Sequence, residues 1–142
     1  MAVDTSEHWI NHVRTEANAA DRFDVDWVDL GAIGWAGRPN NFERRSQFKD
    51  YIQSVWSRGA EPDLVLVDGR FRVACFLYSL AKAKPGCTIL FDDYTNRPKY
   101  HLVEEFIKPT SFCGRQGHFR VPETLDREAI LAEADRFSYV MD

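Results

Sequence analysis

The apolar positions of this chain fall into two patterns. Two runs are unbroken: Leu64-Val65-Leu66-Val67, ending on Asp68, and Ile89-Leu90-Phe91, ending on Asp92-Asp93. A continuous aliphatic run without alternation predicts a strand covered by helices on both faces, as in a parallel sheet. Elsewhere the spacing is helical. Trp9, Ile10, Val13 and Ala17 predict a helix over 5–18 with Thr5 or Ser6 as N-cap. Phe48, Tyr51, Ile52, Val55 and Trp56 follow the i, i+3, i+4, i+7, i+8 rule over 46–57, closed by Gly59 and Pro62. Val73, Ala74, Leu77, Leu80 and Ala81 form the inward stripe of a helix over 71–83. Pro98 opens a helix to 107 carrying Tyr100, Leu102, Val103 and Phe106, and 126–137 reads as a last, acidic helix. Phe23, Val25 and Trp27 alternate with Asp24 and Asp26, which predicts an edge strand with one wet face, and 31–41 is a Gly-rich loop. The stretch 111–121 predicts two short strands in a hairpin, with Gly114-Arg115-Gln116-Gly117 as a four-residue connection. Strand and helix alternate and end in a strand pair, so the expected class is α/β: a doubly wound, mostly parallel sheet with a C-terminal hairpin-like pair.

Composition narrows the possible partners. With 142 residues, 44% hydrophobic and 13% aromatic, residues 1–142 are expected to form a single domain with a real core. The net charge of -4, with no basic stripe, argues against a nucleic-acid partner. No apolar stretch approaches the roughly 20 residues that span a bilayer, and no charged and apolar leader pattern opens the chain, so no membrane association and a cytoplasmic location are expected. Cys75, Cys87 and Cys113 are widely spaced, without a CxxC pair, and read as packing residues.

The candidate chemistry lies at the strand ends. Ligands of open α/β sheets bind just beyond the carboxyl ends of the strands, where Asp68, Asp92 and Asp93 fall. Three carboxylates are the hard oxygen donors that Mg²⁺, Mn²⁺ or Ca²⁺ prefers. The competing reading is that Asp68 and Asp92 cap the turns that follow them. Two adjacent carboxylates repel unless a positive group is near, and Arg70, Arg72, Arg97 and Lys99 follow closely enough to supply one or to contact an anionic ligand. His8 and His12 have zinc-compatible spacing but lack the glutamate of a metalloprotease helix and a third ligand, so they read as a surface pair. No GxGxxG, GxSxG or P-loop pattern occurs.

The residues Val67-Asp68-Gly69-Arg70-Phe71-Arg72-Val73-Ala74-Cys75, followed by Phe91-Asp92-Asp93-Tyr94 and Arg97-Pro98-Lys99-Tyr100, resemble stretches of bacterial methyltransferase-like proteins. Those proteins are similar to the class I S-adenosylmethionine-dependent methyltransferases and, more distantly, to the macrocin O-methyltransferase family. The resemblance implies a Rossmann-like sheet with S-adenosylmethionine as cofactor. It further implies a Mg²⁺ ion held by Asp68, Asp92 and Asp93, and ribose and adenine contacts from Asp4 and Asp29 at the ends of the second and third strands. Arg70 departs from the macrocin pattern, which has an acid there, and this puts a sugar-like acceptor in doubt. The family's first strand and glycine-rich turn have no counterpart in the sequence, so the resemblance implies a domain missing its usual first strand and N-terminally incomplete. Without that strand, two apolar inner edges are expected to lie open.

Methyl transfer from S-adenosylmethionine to an oxygen of a small-molecule acceptor is the preferred activity, with Asp68 as shared ligand and catalytic base. Two alternatives stand beside it: a non-catalytic Rossmann-like module that has lost cofactor binding, and a metal-dependent hydrolase using the same acids.

Overall fold

The computed structural model describes residues 1–17 and 24–142. Four helices and six strands follow in the order β1 (Ala2–Asp4), α1 (Glu7–Glu16), β2 (Val25–Trp27), α2 (Phe48–Gln53), β3 (Leu64–Val67), α3 (Arg72–Lys82), β4 (Thr88–Phe91), β5 (Ser111–Cys113), β6 (Gln116–Arg120) and α4 (Arg127–Phe137). Short 3₁₀ turns lie at Trp35–Gly37, Arg45–Gln47 and Pro98–Glu105. The α/β class expected from the alternation is present, but the strands divide into two sheets. One is the parallel pair β1-β2; the other runs β3-β4-β6-β5, with β3 and β4 parallel and β6 antiparallel to both β4 and β5. Phe23, predicted at the start of β2, lies outside the described residues.

Local chemistry explains most of the boundaries. The Ser6 side chain caps α1 by accepting from the Trp9 N–H, and Asp126 caps α4 by accepting from Ala129. The stripe predicted for α1 is only partly inward: Ile10 is buried, whereas Trp9 and Ala17 face solvent. The helix predicted over 46–57 contracts to α2, with a 3₁₀ turn before it and turns after it. The segment from Pro98 is 3₁₀ rather than α-helical. Its two buried side chains, Tyr100 and Val103, stand three apart, which suits a helix with three residues per turn. The hairpin has two connecting residues, Gly114 and Arg115, rather than four, with Gly114 at φ +56°.

α3 joins the layers. Phe76, Leu77 and Leu80 meet Ile89 and Phe91 of β4 on one side and Ile130 and Ala134 of α4 on the other, all essentially inaccessible to solvent. Phe76 stacks on Phe91 at 5.2 Å between ring centroids and meets Phe119 edge-on at 4.6 Å. A second cluster, Leu30, Phe48, Tyr51, Ile52, Phe71 and Ala74, fastens α2 to the start of α3.

One expectation fails on β3. Its inner residues Val65 and Val67 are at least half-buried, but Leu64 and Leu66 remain 58% and 57% exposed. Side chains alternate between the faces of a strand, and the face carrying Leu64 and Leu66 has nothing packed over it among the described residues, whereas Val65 and Val67 face the core; β3 is also an edge of its sheet, paired with β4 alone among the described strands. Its free side borders a groove whose opposite wall is Met1, Ala2 and Val3. The groove between them has a volume of about 600 Å³.

Candidate functional site

β3 and β4 run parallel in register, Val67 beside Phe91, so Asp68 and Asp92-Asp93 emerge from the same sheet edge. The carboxylates of Asp68 and Asp93 meet at Arg72, which also takes the backbone carbonyl of Asp92. Its guanidinium Nε donates to the Gly69 carbonyl at 3.1 Å, Nη1 to the Asp92 carbonyl at 2.9 Å and to Asp93 Oδ2 at 3.2 Å, and Nη2 lies 3.0 Å from Asp68 Oδ1. Arg72 is buried, and its own N–H donates to Asp142 Oδ1 at 3.0 Å. Asp93, with a side chain only 8% exposed, also receives Arg97 at 2.7 Å on Oδ2, and Arg115 stands 3.0 Å from Oδ1. Arg115 lies 4.0 Å from Asp92 as well.

This arrangement does not support the metal assignment. The three carboxylates are balanced by three guanidiniums, Arg72, Arg97 and Arg115, with Arg72 between Asp68 and Asp93. Among the described residues no group of three His, Cys, Asp or Glu side chains is arranged to hold a metal ion. Asp68, Asp92 and Asp93 thus do not fit Mg²⁺, and the positive partner that their adjacency demands is internal. The turn-capping alternative does not describe them either, because the contacts of Asp68 and Asp92 side chains are to arginines. Adding millimolar Mg²⁺, or EDTA, is expected to leave the melting temperature unchanged in a thermal scan; a rise with Mg²⁺ would mean that Arg72 yields its place.

Asp68 keeps a distinct character. Its side chain is 53% exposed at the mouth of the groove between β1 and β3. Partial burial raises its pKa above the ordinary aspartate value; Arg72 pulls it down, and the Asp92 carboxylate, within hydrogen-bonding reach, pushes it up again.

On the other side of Arg72 the same turn builds a second environment. Phe71 adopts the left-handed conformation, φ +52°, a strained geometry for a bulky residue that is held by its complete burial against Phe48 and Tyr51. In an extended strand Arg70 and Arg72 would share a face. The reversal at Phe71 separates them, so that Arg72 reaches the acids while Arg70 lines the groove. The Tyr51 hydroxyl accepts from the Arg70 N–H at 3.2 Å. A Cβ on Gly69 would lie 2.3 Å from that hydroxyl, so Gly69 is what admits the tyrosine. Burial holds the Tyr51 hydroxyl protonated, with Cys75 and then Asp4 adding to the effect and the Arg70 N–H opposing it. Burial likewise pushes the Cys75 thiol up to about 12, which keeps it an un-ionised packing group.

The acids ending β1 and β2 serve their local turns. Asp4 Oδ1 accepts from the Ser6 N–H at 2.7 Å, which starts α1, while its charge is felt at Tyr51. Asp29 Oδ1 accepts from the Gly31 N–H at 2.9 Å, and its Oδ2 lies 3.4 Å from Arg44. His8 and His12 are exposed on α1. Three contributors were missed in the sequence: Tyr51, which reads as one more apolar helix position; Arg115, hidden in a turn; and Asp142 at the last position. Only Gly69, a glycine directly after a strand-end acid, hinted at a close approach.

No helix among the described residues is long and apolar enough to cross a membrane. No family profile matches the chain, and no curated protein matches it. Among solved structures it is similar to the crystal structure of a methyltransferase-like protein from Silicibacter pomeroyi DSS-3, with 31% identity and a TM-score of 0.82 over 96% of this chain and 74% of that one. Identity of that order across nearly the whole chain, on a shared fold with the strand-end site just described, shows that the protein belongs to the methyltransferase-like family.

Proposed function

We propose that this protein belongs to the S-adenosylmethionine-dependent branch of that family and transfers a methyl group to an oxygen of a small molecule at the carboxyl ends of β1 and β3. The observation that carries this reading is the whole-chain similarity to a methyltransferase-like protein. Its support from the site is an apolar groove of about 600 Å³, within the range of small-molecule sites, with Asp68, Tyr51 and Arg70 among its polar lining residues. When bound, S-adenosylmethionine supplies an electrophilic methyl on a sulfonium. In this reading Asp4 and Asp29 face the nucleoside. Asp68 accepts the proton of the acceptor hydroxyl, helped by the raised pKa that makes a carboxylate a better base. Arg72 holds the Asp68 carboxylate at a set angle through the 3.0 Å contact and serves as a positioning residue. No step runs through a metal.

We also read residues 1–142 as one domain that is incomplete at the open face between β1 and β3. The exposed Leu64 and Leu66 side chains and the unpaired β3 edge support a further strand covering the apolar part of the groove. Calorimetric titration with S-adenosylmethionine and S-adenosylhomocysteine tests both points. Saturable binding, with a matching rise in melting temperature, is expected from a ligand that binds only the folded state. Binding only by a chain lengthened upstream would favour the incomplete domain; binding by neither form would leave the non-catalytic module as the better reading.

A further inference from the structure

Arg70 is a charge without a counter-charge. It is only 7% exposed, its Nε makes no hydrogen bond, and among the described residues no carboxylate pairs with its guanidinium. Its buried neighbours do have counter-charges: Arg72 has Asp68 and Asp93, and Asp93 has three arginines, although Asp93 Oδ1 accepts no hydrogen bond among the described residues. Burying an unpaired guanidinium is costly, so a fold that keeps one is set up to gain when an anion arrives. The side chain lines the groove beside Asp68 and Gly69, at the end where Tyr51 stands with its proton retained. A planar guanidinium matches the two oxygens of a carboxylate, which accept in parallel from the fork of an arginine.

We propose that Arg70 is the anion-recognition group of this site and holds a carboxylate of the bound small molecule. The proposal names the ligand chemistry of the site described above and rests on that reading only for the location. Two sources share the chemistry: the aminoacyl carboxylate of the methyl donor, or a carboxylate on the acceptor.

The test compares wild type with Arg70→Met, which keeps the volume and removes the charge, and with Arg70→Lys, which restores a point charge. The probes are S-adenosylmethionine, decarboxylated S-adenosylmethionine and benzoate, each titrated by calorimetry. Arg70→Met should melt at the wild-type temperature or above it, since an unpaired buried charge has been removed; a clear fall in melting temperature would overturn the proposal by assigning Arg70 a structural role. Charge-assisted hydrogen bonds correspond to at least about a tenfold preference for a carboxylate-bearing probe. If wild type prefers S-adenosylmethionine over its decarboxylated form by that factor and Arg70→Met does not, the donor's carboxylate is the ligand. If benzoate binds wild type and is lost in Arg70→Met, with partial recovery in Arg70→Lys, and the adenosyl pair is unaffected, the ligand is the acceptor's carboxylate. Arg70-dependent benzoate binding without any adenosyl binding would sustain this inference and remove the methyl-transfer reading. Equal adenosyl affinities in both proteins with no benzoate binding would do the reverse, and failure of wild type to bind any probe would overturn both.

Discussion

Arg72→Met is expected to lose about 3–5 kcal/mol of unfolding free energy, because it removes the shared partner of two carboxylates, Asp68 and the deeply buried Asp93. Asp93 would keep Arg97 and Arg115, but these reach it from more exposed positions, and Arg115 at 64% exposure is well screened. The carbonyls of Gly69 and Asp92 would also lose their donor, loosening the turns after β3 and β4 together. Urea unfolding of Arg72→Met beside Arg115→Met provides the comparison, the latter expected to lose under about 1 kcal/mol. Asp93→Asn in the Arg72→Met background should recover part of the loss, since it removes the carboxylate left short of charge. Asparagine tolerates the positive φ of +55° at that position, so backbone strain does not confound the result. A loss below about 1 kcal/mol for Arg72→Met would show that Arg72 is not the centre of the cluster.

The second large effect is kinetic. With Asp68 as base, Asp68→Asn should lower methyl transfer by about 10²–10⁴-fold while leaving S-adenosylmethionine affinity unchanged. Release of S-adenosylhomocysteine against a panel of phenol, catechol and sugar-hydroxyl acceptors measures it. The wild-type rate should climb with pH through the raised Asp68 pKa and level off above it, because only the ionised carboxylate accepts a proton; the variant should lack that limb. Stability must move in the opposite direction. A carboxyl whose folded pKa exceeds its unfolded value contributes stability below the unfolded value, and that contribution disappears as pH rises through the folded one. Wild type should therefore lose stability across this window where Asp68→Asn stays flat. An Asp68→Asn protein with the wild-type rate and pH profile would remove Asp68 from the chemistry.

How much of this was legible depends on the range over which each feature is decided. The stripe of α3 and the N-cap of α1 at Ser6 are set within one or two helical turns, and both match the structure. The two aliphatic runs did mark parallel neighbours whose ends bring acids together. The segment after Pro98 misled because Tyr100, Val103 and Phe106 suit a three-residue turn as well as a longer one, and packing chose the tighter helix. For the site, Asp68, Asp92 and Asp93 were legible as a group, and arginines nearby were legible as candidates. Which arginine would take which acid was not, since the left-handed Phe71 between Arg70 and Arg72 leaves no signature in residue type.

The amino-acid order by itself therefore determined the α/β alternation, the inward stripe of α3 and that three carboxylates share one edge, because these follow from periodicity and chain direction. Only the tertiary structure decided that the edge is neutralised by Arg72, Arg97 and Arg115 rather than by a cation, that Arg70 is left unmatched in the groove, and that β3 has one bare face. The physical reason is that charge pairing and burial depend on distances through space. Arg115 reaches Asp93 only once β6 has paired with β4, and Leu64 and Leu66 stay wet because no described element packs over the face they share.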